Sequence, residues 1–224
     1  MSRKAVIAGA TGLIGKELVQ LLLSEPEYTS VTLIVRRPTG ITHPKLHEKV
    51  IDFDNLEQAD VNLTEADAYC TLGTTIKKAG NNEAFRKVDY TYPLTLGQMA
   101  KKQGAKQLLI VTSIGSNSSS RSFYTRVKGE IEESLRGLNL PTLQIFRPSL
   151  LLGNREEFRF GEGIASSISV VISPLLSGSL RKYKPIQARS VAKAMQRAAL
   201  SGRSGIHIFE SDQIAQLSEP SKSS

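Results

Sequence analysis

The chain has 224 residues, 40% of them hydrophobic and 22% charged, with a formal charge of +8 from 29 basic and 21 acidic side chains. That length holds one ordinary or enlarged domain, and the apolar share is enough for a buried core, which excludes wholesale disorder. The one cysteine, Cys70, excludes an internal disulfide framework and a multi-cysteine zinc site, and no run is long and apolar enough for a transmembrane helix.

The predicted elements alternate. Arg3–Ala8 is a short run with β-branched residues that ends in glycine and reads as a buried strand. Residues 12–24 carry Leu13, Leu18, Leu21 and Leu22 at helical spacing. The basic, apolar start resembles a leader peptide. However, Gly9, Gly12 and Gly15 interrupt it, Lys16 and Glu17 follow at once, and no cleavage site is evident. The expected location is cytoplasmic.

Further strands are predicted at 31–35, 49–51, 68–72, 107–112 and 142–146. Helices are predicted at 82–103 and 121–136, and Pro93 either kinks the first or marks a helix start. A loose apolar stretch at 164–176 precedes a strand near 184–186, a helix at 188–201 and a last strand at 206–209. Strands alternating with helices predict an α/β fold, a doubly wound parallel sheet with helices on both faces. We expect one domain over 1–215, a small substrate-side lid over 154–185 and a flexible tail over 216–224.

Charge is uneven. No acid occurs between Gly163 and Phe209, while Arg181, Lys182, Lys184, Arg189, Lys193, Arg197 and Arg203 are all basic. Such a region meets nucleic acid, an acidic partner or an anionic ligand, or is a solvated surface. No nucleic-acid module accompanies it, and the solvated surface is the reading preferred here. His43 and His47 are separated by Pro44, which argues against a metal pair.

Gly9-Ala10-Thr11-Gly12-Leu13-Ile14-Gly15 follows the first strand and opens the first helix. The first glycine permits the turn, the middle one lets a pyrophosphate approach the backbone, and the third lets helix and strand pack closely. Backbone amides of this loop, together with the positive end of the helix, then favour the anion. At the end of the second strand stands Val35-Arg36-Arg37. An acid here would bond the ribose 2′-hydroxyl of NAD, whereas an arginine suits a 2′-phosphate. The expected cofactor is NADP(H) rather than NAD(H), with Arg36 and Arg37 as the clamp; two surface arginines are the alternative.

Tyr124-Thr125-Arg126-Val127-Lys128 is a Y-x-x-x-K pattern on the helix after the fifth strand, and that strand ends in Thr112-Ser113. Residues four apart share a helix face, so Tyr124 and Lys128 are expected to point together toward the strand ends. Carbonyl reduction needs a hydride and a proton. A phenol, ordinarily titrating near 10, exchanges that proton at neutral pH only when a nearby cation favours phenolate. Lys128 supplies that cation and Ser113 a donor to the substrate oxygen. The expected catalytic set is Ser113, Tyr124 and Lys128.

The glycine spacing and this set resemble the short-chain dehydrogenase/reductase superfamily in its extended and atypical branches, which implies a Rossmann fold. The resemblance also implies that Asp52 reaches the adenine and that Thr71, Leu72 and Gly73 pass the ribose, with Phe53, Thr74 and Thr112 beside them. It further implies that Lys128 bonds the nicotinamide ribose and that Pro148, Ser149 and Leu150 lie by the nicotinamide. Asp89 stands where related enzymes carry asparagine, so the resemblance does not carry a proton relay over to this position, and a helix-surface acid is the alternative reading. Narrower segments are Cys70-Thr71-Leu72-Gly73-Thr74-Thr75, Lys78-Ala79-Gly80, Phe85-Arg86-Lys87-Val88-Asp89, Val127-Lys128-Gly129-Glu130, and Arg147-Pro148 with Arg155-Glu156-Glu157. Through these, residues 4–209 resemble the Tat-interacting-protein family of atypical short-chain dehydrogenases and its small bacterial relatives. The implied function is an NADP(H)-dependent oxidoreductase of a small carbonyl or alcohol. A non-enzymatic NADPH-binding sensor acting through protein partners is the alternative. A homodimer stays open; membrane and nucleic acid are not expected partners.

Overall fold

A computed structural model describes residues 2–152 and 178–219. In β1 (Arg3–Ala8) alternate residues serve opposite faces: Ala5 and Ile7 enter one apolar cluster, Val6 and Ala8 the other. β2 (Tyr28–Val35) and β3 (Leu46–Val50) lie to one side of it. On the other side lie β4 (Asp67–Cys70), β5 (Gln107–Val111) and β6 (Thr142–Arg147). Among the described residues β7 (Leu151–Leu152) and β8 (Ile186–Gln187) pair with each other in a separate two-stranded sheet, and β9 (Gly205–Glu210) extends the main sheet beside β6. The order is β3-β2-β1-β4-β5-β6-β9, and every pairing is parallel. Strand order reverses between β1 and β4. Their carboxyl ends therefore open the crevice in which doubly wound Rossmann folds take ligands.

The helices in chain order are α1 (Leu13–Ser24), α2 (Ile76–Ala79), α3 (Asn82–Arg86), α4 (Tyr92–Lys102), α5 (Phe123–Gly137), α6 (Ala188–Leu200) and α7 (Ser211–Ser218). One face of the sheet is covered by α1, α6 and α7 through Leu18, Leu22, Val191, Met195 and Ile214. The other is covered by α4, α5 and a 3₁₀ helix at Phe53–Gln58, through Leu96, Met99, Ile131, Leu135 and Leu56.

The structure revises several boundaries. β2 begins at Tyr28, and β3 is an earlier strand than predicted at the sheet edge. The long helix predicted over 82–103 is three pieces: α3, a π-helical turn at Lys87–Thr91, and α4. Pro93 lies in the first turn of α4, so it has no N–H for the carbonyl of Asp89 four residues back, and its ring would crowd that carbonyl. The chain opens into a wider turn instead, with the Tyr92 N–H bonded to the Lys87 carbonyl. Gln216 and Leu217, read from sequence as tail, belong to the last turn of α7, whose start is held by a capping box between Glu210 and Gln213. Most of the expected lid over 154–185 lies outside the described residues; within them stands a 3₁₀ turn at Gly178–Tyr183 leading to β8.

At the amino ends of the strands, away from the crevice, Asp67 centres a buried polar cluster. Its carboxylate accepts from Arg3 Nε at 2.9 Å, Tyr28 Oη at 2.6 Å and Gln107 Nε2 at 2.7 Å. Arg3 Nη2 and Gln107 Nε2 also donate to the Ala199 carbonyl at 2.7 and 3.0 Å, and Gln144 Nε2 donates to that of Ala198 at 3.1 Å. These carbonyls belong to the last turn of α6 (Ala188–Leu200), where no amide four residues on lies within the helix, so the cluster pins that helix to the sheet.

Candidate active site

The glycine loop turns directly from β1 into α1. Gly9 has φ of +96°, and a Cβ there would stand 2.5 Å from the Thr71 carbonyl carbon, so glycine is required where β1 and β4 approach. At Gly15 a Cβ would meet the Gly9 carbonyl oxygen at 2.1 Å, which is the close helix–strand packing that the motif anticipates. No side chain caps the start of α1. Its first-turn amides, those of Leu13, Ile14 and Gly15, lack intrahelical acceptors and form the positive end at the crevice. The side chain of Ile14 is buried in the core, so it can serve a ligand only through its backbone, whereas that of Leu13 packs against the core and stays partly exposed. Thr11 is exposed at the loop.

Beyond β2, Arg36 and Arg37 are exposed. Arg36 lines an open pocket of about 340 Å³ together with Val50, Ile51 and Asp52. One carboxylate oxygen of Asp52 caps the 3₁₀ helix, accepting the Asp54 N–H at 3.0 Å. Phe53 is buried against Tyr92, with ring centroids 5.5 Å apart. Glu48, unremarked in the sequence reading, accepts the Thr39 N–H at 3.1 Å and the Thr39 hydroxyl, which anchors the loop carrying both arginines.

The strongest electrostatic feature lies past β4. Lys128 on α5 is buried, and its Nζ is 2.7 Å from Asp89 Oδ1 in an ion pair whose side chains are 6% and 0% exposed. The other oxygen of Asp89 accepts the Thr74 N–H at 2.9 Å. Burial opposes the charge of Lys128, but the Asp89 carboxylate, and after it Tyr124, outweigh burial and hold the ammonium above the usual lysine range. A Cβ on Gly73 would lie 3.5 Å from Asp89 Oδ1 and 3.8 Å from Lys128 Nζ, so the β4 exit passes directly over the pair. Burial also pushes the Cys70 thiol up to about 12, which leaves it protonated and without nucleophilic character at neutral pH.

Tyr124 stands one turn before Lys128 and packs on Phe85 with ring centroids 5.6 Å apart. Ser113 follows β5, and its Oγ is buried without a hydrogen-bond partner in the described chain. The loop after it folds back tightly: Ser116 donates to the Ser113 carbonyl at 2.7 Å, and a Cβ on Gly129 of α5 would strike Ser118 N at 2.1 Å.

Other expected ligand residues are engaged within the chain. Thr71 Oγ1 donates to the Gly9 carbonyl at 3.1 Å. Thr112 Oγ1 donates at 2.7 Å to the buried Glu132, which also receives Arg147 Nε at 3.0 Å. The Pro148 carbonyl accepts the Ile114 N–H at 3.0 Å, and that of Leu150 accepts the Ile186 N–H at 2.9 Å. Ser149 gives its N–H to Ser211 at 3.3 Å and its hydroxyl to the Lys184 carbonyl. In the basic stretch, Arg197 Nη1 donates to the Leu217 carbonyl at 3.0 Å and Arg203 lies 5.6 Å from the Phe209 ring. Among the described residues no group of three metal-ligating side chains occurs, and no helix is long and apolar enough to cross a membrane.

Comparison with known proteins agrees with this geometry. The family described as NAD(P)H-binding matches residues 9–140. Protein HTATIP2 of Rattus norvegicus is 33% identical over 227 residues, covering 99% of this chain and 92% of its own. The chain belongs to the NAD(P)H-binding family, in its atypical short-chain dehydrogenase branch. Another relative, "Protein FMP52, mitochondrial" of Candida albicans, is 33% identical over 206 residues, covering 89% of each chain. Family membership accounts for the glycine loop, the all-parallel sheet and the crevice at the β1–β4 switch. Among solved structures, a UDP-N-acetylglucosamine 4-epimerase from Methanobrevibacter ruminantium in complex with UDP-N-acetylmuramic acid superposes with a TM-score of 0.66. It is 16% identical, with 93% of this chain and 76% of that one covered. MoeE5 in complex with UDP-glucuronic acid and NAD gives a TM-score of 0.67 at 15% identity, covering 92% of this chain and 75% of that one. These likenesses are of fold.

Proposed function

We propose that this family member is an NADP(H)-dependent oxidoreductase acting on a small carbonyl or alcohol. The observation that carries the reading is the buried Lys128 ammonium under Gly73, with Tyr124 one helical turn away on the same face. The unpartnered Ser113 Oγ adds to it, because a buried hydroxyl left without a bond is costly unless a ligand completes it.

The residues present fit a dinucleotide. Amides of the Gly9–Gly15 loop suit a pyrophosphate, the pocket of Arg36, Val50, Ile51 and Asp52 suits an adenosine with a 2′-phosphate, and Lys128 suits a ribose hydroxyl. Bound there, the nicotinamide would supply or accept the hydride. Ser113 would donate to the substrate oxygen, Tyr124 would carry the proton, and Lys128 would hold both the ribose and the phenol. Within the basic stretch, Arg197 donates to a carbonyl of the chain and Arg203 lies beside the Phe209 ring, and no nucleic-acid role is proposed for it. The fungal relatives carry the word mitochondrial in their names; the cytoplasmic expectation for this chain rests on its own sequence.

The test is NADPH consumption against a panel of small aldehydes and ketones, with Ser113→Ala beside the wild type. The variant should lose about a hundredfold in kcat/KM and keep NADPH affinity. Tight NADPH binding with no turnover on any member of the panel would favour the sensor reading instead. A separate titration checks the clamp: Arg36→Ala should lower the preference for NADPH over NADH by about ten- to a hundredfold, the worth of a charge-assisted bond to phosphate. An unchanged ratio would mean that the 2′-phosphate is held elsewhere or not at all.

A further inference from the structure

Three features place one carboxylate at the centre of the site. Pro93 forces the wide turn at Lys87–Thr91, and Asp89 within it is 1% exposed. Asp89 Oδ1 lies 2.7 Å from Lys128 Nζ. Asp89 Oδ2 accepts the Thr74 N–H, which holds the carboxylate in place from a second element.

We propose that Asp89 is a positioning residue that offsets the charge of Lys128 and keeps the Tyr124–Lys128 pair proton-donating, so that the site runs as a carbonyl reductase. This rests on the reading of Ser113, Tyr124 and Lys128 given above. A lone buried ammonium one turn from a phenol draws it toward phenolate. With a carboxylate on the ammonium, the pair seen from the phenol is close to neutral, and most of that pull is cancelled. Among the described residues, the titratable groups facing Lys128 are Asp89 from the π-helical turn, Tyr124 from α5 and Cys70 from β4. Cys70 stays neutral because burial pushes it up to about 12.

The direction of chemistry follows from the proton. In reduction the carbonyl carbon would take a hydride, which is one proton carrying two electrons, and a bound dihydronicotinamide would supply it and leave oxidised. The carbonyl oxygen takes the phenol proton: the phenol O–H breaks, the alcohol O–H forms, and water reprotonates the phenolate. Oxidation of an alcohol runs these steps backward and must start from phenolate. A site that holds the phenol protonated at neutral pH is therefore ready for reduction and reaches oxidation only at alkaline pH.

The test is an ultraviolet phenolate titration of the NADP⁺-saturated protein, with the same variant carrying Tyr124→Phe subtracted to isolate one transition. Of the six tyrosines, Tyr28 and Tyr69 are pushed far up by burial and Tyr92 up to about 12, so their transitions lie clear of it. Asp89→Asn keeps the shape and an oxygen for the Thr74 N–H while removing the charge. It should move the Tyr124-dependent transition down by about one pH unit or more, with the alkaline limb of alcohol oxidation moving alongside it. Lys128→Met should move the transition up. An unmoved transition in Asp89→Asn, with Lys128→Met still effective, overturns the proposal and spares the site reading. A transition that ignores Lys128→Met overturns both. If Asp89→Asn fails to fold because Lys128 is left buried without its carboxylate, Asp89→Asn/Lys128→Met is compared with Lys128→Met. Removal of the carboxylate should still lower the transition, and no change there overturns the proposal.

Discussion

Tyr124→Phe should lower turnover with NADPH by about two to four orders of magnitude, the range supplied by a positioned acid–base group. NADPH affinity should hardly change. The substitution removes one oxygen and keeps the ring against Phe85, so α5 and the buried Lys128–Asp89 pair keep their packing. Loss of rate with intact binding would place the effect on proton transfer, because uniform weakening of binding would raise KM and leave kcat alone. Steady-state rates and a fluorescence titration of NADPH on the same preparations measure both. Turnover equal to wild type would remove Tyr124 from the mechanism and, with it, the role given to Lys128 as its partner.

Asp67→Ala should destabilise the fold by about 3–5 kcal/mol, the cost of removing one partner from a buried ion pair. That is a large part of the 5–15 kcal/mol typical of a domain. The variant leaves Arg3, Tyr28 and Gln107 without the acceptor they share, all at the amino ends of the strands. The Arg3 guanidinium keeps the Ala199 carbonyl at the end of α6 and the Tyr28 ring, neither of which carries a compensating charge. Denaturant midpoints would measure the loss, and a change below about 1 kcal/mol would show that the cluster relaxes or admits water. NADPH affinity per folded molecule should be unaffected, since the crevice is at the opposite end of the sheet.

The same cluster sets an alkaline limit. Burial, then Asp67, raises Tyr28, and burial, then Tyr28, raises Tyr69. Phenols whose folded values lie above their unfolded ones stabilise the protein below about pH 10. Above it the unfolded chain loses protons that the folded chain keeps, and stability falls. Urea midpoints that stay constant from neutral pH to beyond about pH 10 would contradict this.

Much of the architecture follows from local pattern. Alternation of short β-branched runs with helical spacings specifies a parallel α/β sheet, because each element must bury its own apolar residues at its own period. The glycines at 9, 12 and 15 mark the turn, since no other residue fits where a Cβ would meet backbone at Gly9 and Gly15. Tyr124 and Lys128 share a face because they lie four apart on one helix. Even the break ahead of α4 and the start of α7 have local signals, in Pro93 and in the Glu210–Gln213 capping pair.

Pairings between distant segments arise only in the folded chain. Asp89 reads from sequence only as a departure from the asparagine of related enzymes; the packing of the π-helical turn on α5 makes it the counter-ion of Lys128. Asp67 meets Arg3 across 64 residues because β4 and β1 are neighbours in the sheet. Ser149 gives its hydroxyl to the Lys184 carbonyl and its amide to Ser211, both in segments far along the chain. Periodicity reports which face of an element is buried, but the identity of the buried charge opposite depends on strand order and helix register. Those are set by the whole core at once, and that is why the counter-ion of Lys128 became visible only in the fold.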